Sequence, residues 1–300
     1  MINRAIDSLT AAAYFAAWRI VRWLPEKSAY RLFSSLADAI GRRNGKSVQR
    51  LRSNLQRVKP SLNKAELDAL VLLGLRSYLR YWCDTFRFPD WSREKLMGTV
   101  DVTNEHLLMD AIRAGTGVIV ALPHAGNWDH AGAYFCGKGV KIVTVAERLK
   151  PEVLFRKFLA YREAIGMEVL PLDGRVIATL AKRLRAGQLV ALVADRDLSR
   201  TGITVNFFGG LARMPAGPAV LALNTEAPLI TAYVSYTPGG IHIDFRETQI
   251  PITRSQSERV LSLVQQCADH FAQGIAAHPQ DWHMLQRIWV DGDFTECTDA

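Results

Sequence analysis

The sequence predicts an α/β fold, a central, mainly parallel mixed sheet flanked by helices, with a helical N-terminal region ahead of it. Three observations carry this expectation. Residues 1–95 read as helical, short aliphatic runs alternate with helical patterns from about residue 96, and two late runs form a hairpin. Strands separated by helices make a parallel sheet covered on both faces, so its strands appear as continuous apolar runs.

Taken in order, KAELDALVLLGLRSYLRYWCDTF spaces Leu67, Leu70, Val71, Tyr78, Leu79 and Trp82 by threes and fours, the mark of a helix buried on one side. Pro60-Ser61 and Pro89 punctuate it. The strand runs are GVIVAL (117–122), KIVTV (141–145), MEVLPL (167–172), QLVALV (188–193), PLITAYVSY (228–236) and IHIDF (241–245). Between them lie the helical stretches PEVLFRKFLAYREAIG and RVIATLAKRLRAG, and Pro238-Gly239-Gly240 turns the last two strands antiparallel. Residues 251–277 make a final helix, and DGDFTECTDA reads as a frayed tail. No repeat or low-complexity linker divides the chain. The sequence suggests a region 1–95 and a core 96–300 within one continuous unit.

At 300 residues and 49% apolar, the chain can bury a sizeable core. Cys83, Cys136, Cys267 and Cys297 are scattered, which argues against a zinc ribbon or disulfide scaffold and fits a reducing compartment. Net charge is +8, but residues 1–59 hold twelve Lys/Arg against three Asp/Glu, a balance of +9, and the rest sums to −1. Such a block suits an anionic surface, nucleic acid or acidic lipid. Residues 5–24 mix Tyr14, Phe15, Trp18 and Trp23 with Arg19 and Arg22, and only eleven consecutive residues there are uncharged. That is short of the roughly 20 apolar residues a spanning helix needs. It reads either as a helix lying in a membrane interface, making this region membrane-facing, or as a core-packing helix with its arginines in water. Tryptophans beside alanines suit lipid better than nucleic acid, for which no recognition motif is present.

The segment ALPHAGNWDHAG follows the first strand run. Ligands bind beyond the carboxyl ends of strands in open α/β sheets, and His124 lies at such an end. Gly126 allows a tight turn, and Asn127 or Asp129 caps the helix that follows. Asp129 in the first turn can reach back to the imidazole, fix its tautomer and leave the other nitrogen as a base. The blander alternative makes Asp129 a cap and His124 a loop residue. A metal site at His124, Asp129 and His130 lacks the further ligands a dinuclear centre needs, so no metal is expected. No G-x-S-x-G elbow is present and no Ser or Cys is marked as a nucleophile, which leaves His124 to deprotonate a substrate hydroxyl that attacks an activated acyl group.

His-x-x-x-x-Asp in this segment resembles the signature of glycerolipid-type acyltransferases. With VTVAERLKPEVLFRKFLAYREAIGMEVLPL, LVALVADRDLSRTGITVNFFGGLARMPAGPAVLALNTEAPLI and HPQDWHMLQRIW, the chain resembles the bacterial lipid A lauroyl/myristoyl acyltransferase superfamily over almost its whole length. Within that superfamily it is most similar to the actinobacterial branch acting on phosphatidylinositol mannosides. The resemblance implies an enzyme peripheral to the cytoplasmic face of the plasma membrane, with acyl-CoA as co-substrate, no cofactor and no nucleic-acid partner. It implies transfer of a long acyl chain, palmitoyl, to the 6-hydroxyl of a mannose on a mannosylated phosphatidylinositol. Transfer to a lipid A precursor or a lysophospholipid is the alternative. Many members carry Glu where this chain has Asp129, and the family has a hydrophobic tunnel for the acyl chain.

By the same resemblance Glu147 and Arg162 match positions near the donor and the catalytic pair. Asp195-Arg196-Asp197 follows QLVALVA directly, and charges there are costly unless paired or functional. The expected roles are Asp197 holding the acceptor sugar or the histidine, with Asp195 and Arg196 organising the site. Arg213 and the helix start near Pro215 suit a phosphate, and Glu226 either contacts substrate or ends its helix. His283, in DWHML, reads as packing near the core.

Overall fold

A reciprocal cap sets where the longest of the N-terminal helices begins. The computed structural model describes residues 18–146, 152–172, 176–197, 201–252 and 255–290. A helical turn at 18–23 leads into α1 (Glu26–Arg43), α2 (Lys46–Val58) and α3 (Lys64–Arg87). The Asn63 side chain accepts from the N–H groups of Ala65 and Glu66, and Glu66 accepts from the Asn63 N–H, a reciprocal cap. Leu67, Val71, Leu75 and Leu79 then recur every fourth residue along α3 and bury against Leu51 and Leu55 of α2 and Phe33 and Ala37 of α1. Trp18 is tied to this bundle by its indole N–H, which donates to the Phe86 carbonyl at 2.8 Å.

Beyond α4 (Arg93–Gly98) the chain alternates as the aliphatic runs predict. It runs through β1 (Val100–Thr103), α5 (His106–Ala114), β2 (Val118–Leu122), α6 (Trp128–Gly137), β3 (Ile142–Ala146), α7 (Glu152–Ala164), β4 (Met167–Pro171), α8 (Val176–Arg185) and β5 (Leu189–Val193). There follow β6 (Ile203–Phe207), β7 (Gly210–Met214), α9 (Gly217–Thr225), β8 (Leu229–Tyr236), β9 (Ile241–Glu247) and α10 (Gln256–Ala277). Seven strands form one sheet in the order β1-β9-β8-β2-β5-β3-β4. The five from β8 to β4 are parallel, β9 runs antiparallel to β8, and β1 is parallel to β9.

Alternation along β2 shows how the sheet is covered. Val118, Val120 and Leu122 pack with Leu108 of α5 and Phe135 of α6. Ile119 and Ala121 face the other way, with Leu180 and Leu184 of α8, Leu221 of α9 and Phe271 of α10. Two features are not apparent from the apolar runs. β1 is four residues of alternating, half-exposed character, and β6 and β7 form a separate antiparallel ribbon. The ribbon's turn is Phe208-Gly209, both at positive φ, and a phenylalanine there lacks the usual Asn-Gly or Asp-Gly signal. Among the described residues no helix is long and apolar enough to cross a membrane.

Candidate active site

Strand register brings the site together. Leu122 pairs with Val193, and the Ala194 N–H donates to the Leu122 carbonyl at 2.8 Å. His124 and Asp195, each two residues past its strand, therefore meet at the carboxyl edge of the sheet. The imidazole Nδ1–H donates to Asp195 Oδ1 at 2.6 Å, while the His124 backbone N–H and the Trp282 indole N–H donate to Oδ2 at 3.1 and 3.0 Å. Asp195 is fully buried, whereas 43% of the His124 side chain is exposed. Burial pushes the Asp195 carboxyl up, but the His124 charge and these donors outweigh it and hold it below the usual carboxylate range. A carboxylate fixed on Nδ1 sets the tautomer and leaves Nε2 as the basic nitrogen.

The loop carrying His124 is clamped by the DWH segment. His283 N–H donates to the His124 carbonyl at 2.7 Å, Gly126 N–H donates to the Asp281 carbonyl at 2.9 Å, and Ala125 bridges Trp282. Gly126 has φ +57°, and a Cβ there would lie 2.5 Å from the Val234 carbonyl oxygen, so only glycine fits. Asn127, rather than Asp129, caps α6, accepting from the His130 N–H at 3.0 Å.

The His-x-x-x-x-Asp spacing predicts Asp129 on the imidazole, and here the geometry differs. Asp129 accepts from the Tyr81 hydroxyl at 2.9 Å and from Arg162 Nε and Nη2 at 2.9 and 3.4 Å, so its hydrogen bonds run to α3 and α7. Only 3% of the Asp129 side chain and 18% of the Arg162 side chain are exposed. Trp128 stacks on Tyr81 with ring centroids 4.3 Å apart and meets His124 edge-on at 5.8 Å. Trp128, Asp129 and Arg162 also line one end of a cavity under α6, and Phe135, Ile142, Met167 and Leu189 line its other, wholly apolar end.

The remaining candidates divide. Asp197 follows Asp195 and donates its N–H to the Arg213 carbonyl at 2.7 Å; a Cβ at Gly202 would press on both residues, so Asp197 and Arg213 share the β6–β7 side of the site. Arg196 Nε donates to the Arg287 carbonyl at 2.9 Å and braces the C-terminal segment. Glu226 does not join them. It is exposed and caps α9 at φ 59°, just before β8 begins, and β8 is parallel to β2, so it sits at the opposite edge of the sheet from His124. Its helix-ending role follows from that position. Glu147, Tyr14, Phe15 and the tail 291–300 lie outside the described residues.

Sequence reasoning finds no role for Tyr81 or Trp282. Each is a buried aromatic, and only the fold reveals a polar tip aimed at a carboxylate. His130 donates Nε2–H to the Leu96 carbonyl at 3.1 Å, remote in role from Asp129, and among the described residues no group of three His, Cys, Asp or Glu side chains is arranged to hold a metal.

Two buried histidines predict an acid-sensitive fold. Burial, helped by the nearby His124, holds His283 at about 3, and burial holds His130 at about 4. An unfolded chain protonates both near pH 6.5. The unfolded state thus binds more protons below that pH, and stability present at neutral pH is lost as pH falls from about 6.5 toward 4. Melting temperature measured from pH 7.5 to 5 should fall, and His130→Phe should flatten the slope.

The chain matches the family of bacterial lipid A biosynthesis acyltransferases over residues 3–290. It is 41% identical over 285 residues to the phosphatidylinositol mannoside acyltransferase of Mycolicibacterium smegmatis, covering 94% of this chain and 92% of that protein. It is 43% identical over 283 residues to the proteins of the same name from two Mycobacterium tuberculosis strains, covering 93% of this chain and 88% of each relative.

Proposed function

The chain belongs to the bacterial lipid A biosynthesis acyltransferase family, and we propose that it moves a long-chain acyl group, palmitoyl, from acyl-CoA to the 6-hydroxyl of a mannose on a phosphatidylinositol mannoside. The observation carrying this reading is a half-exposed imidazole, its tautomer set by buried Asp195, in ring contact with Trp128, which also lines a mostly apolar cavity. His124 Nε2 takes the hydroxyl proton as the alkoxide oxygen forms its bond to the thioester carbonyl. Asp195 stabilises the imidazolium. Collapse of the tetrahedral intermediate breaks the C–S bond, and the coenzyme A thiolate leaves with the proton that His124 returns. The Asp129–Arg162 pair braces the polar end of the cavity.

We propose that the enzyme works at the cytoplasmic face of the plasma membrane. Support comes from the +9 balance of residues 1–59 and from Ile20, Trp23, Leu32 and Leu36, all exposed beside Arg19, Arg22 and Arg31. Aromatic and aliphatic groups among arginines suit the headgroup boundary.

One experiment tests both statements. Labelled palmitoyl-CoA is offered with mannosylated phosphatidylinositol, a lipid A precursor and a lysophospholipid in parallel, each in anionic and in neutral vesicles. Transfer to the mannoside, faster in anionic vesicles and slowed by salt, is the expected result. Transfer to another acceptor alone overturns the substrate, and indifference to lipid charge and salt overturns the membrane contact.

A further inference from the structure

The cavity under α6 has a notch in its wall. Gly132 faces Met167, the first residue of β4, so closely that a Cβ on Gly132 would lie 2.1 Å from the Met167 methyl carbon. The thioether tip therefore occupies the volume that any larger residue at 132 would fill. Both residues line the cavity. Met167 pairs with Ile142 across β4 and β3, and Ile142 pairs with Leu189 across β3 and β5. This row forms the floor at the amino ends of those strands, four β5 residues and about 13 Å below Val193 near the mouth.

The cavity is narrow, about 80 Å3. A long acyl chain in so narrow a space presses on the floor and wall side chains. The aliphatic and aromatic lining is branched or rigid, whereas methionine is unbranched with three rotatable bonds. Gly132 is helical at ordinary φ, so alanine there meets no backbone penalty, only the methionine tip.

We infer that Gly132 and Met167 set the length of the acyl chain this enzyme accepts, the glycine notch holding the methionine tip out of the lumen. The inference rests on the acyltransferase reading above. With the notch filled, as in Gly132→Ala, the Met167 tip is forced into the lumen and raises the floor. With the tip removed, as in Met167→Ala, the floor drops.

The test measures kcat/KM for acyl-CoA donors of 10 to 18 carbons with the mannoside acceptor, alongside displacement of a fluorescent fatty acid by free acids of the same lengths. Gly132→Ala should lower the 16-to-12-carbon ratio by about tenfold, the loss expected when two methylenes stop being buried. Met167→Ala should raise the preferred length, and the double variant should return toward the wild-type ratio. An unchanged ratio in folded Gly132→Ala overturns the inference; if that variant fails to melt cooperatively, an unchanged ratio in Met167→Ala does so. Wild-type protein that transfers no acyl chain at any length sinks the function instead, and the displacement series still reads the cavity.

Discussion

Replacing His124 with alanine is expected to cut acyl transfer by about 10²–10⁴-fold, the usual worth of a positioned base. The fold should survive. The ring is 43% exposed, and Asp195 keeps two of its three donors, the His124 backbone N–H and the Trp282 indole N–H. Losing one donor to a buried carboxylate costs about 1–3 kcal/mol, within what a domain of this size tolerates. Single-turnover rates with saturating acyl-CoA, together with a thermal melt, check both halves. Near-native turnover by a folded variant would remove His124 from the mechanism, and added imidazole should restore part of the lost rate if the ring is the base.

The histidine was legible because it needs only local information: an aliphatic run, a proline and a turn place it at a strand's carboxyl edge. Its carboxylate was legible only as one of the charges organising the site, not as the partner of the imidazole. Asp129 is five residues along the chain, and a spacing rule selects it; Asp195 is 71 residues away and arrives through the pairing of Leu122 with Val193. Nothing in a single sequence states which strand neighbours β2, since β5 comes between β2 and β3 although β3 follows directly in the chain. The strand runs were visible because burial on both faces makes them continuously apolar. The β6–β7 ribbon was obscured because only half of its residues are buried and Phe208 occupies a turn position that usually announces itself with glycine or asparagine. Glu226 left two readings open, substrate contact or helix end, because charge next to a strand looks the same whichever end it adjoins, and topology decides for the helix end.

Two carboxylates of opposite neighbourhoods give the sharpest test. Asp195→Asn keeps the shape but offers an amide to Nδ1, which favours the tautomer with its proton on Nε2 and removes the base. The equivalent change in serine proteases lowers kcat about 10⁴-fold for that reason, and a loss of about 10²–10⁴ in kcat with little change in KM is expected here. Asp129→Asn should fail differently. It leaves the Arg162 guanidinium, 18% exposed, without its ion-pair partner, and breaking a buried pair in this way costs about 3–5 kcal/mol. A lowered melting temperature should therefore dominate, with turnover per folded molecule falling less than in Asp195→Asn. The reverse ordering, in which Asp129→Asn melts normally yet loses more kcat, would return the orienting role to Asp129 and show that the working enzyme draws that carboxylate from Arg162 onto the imidazole when substrate binds.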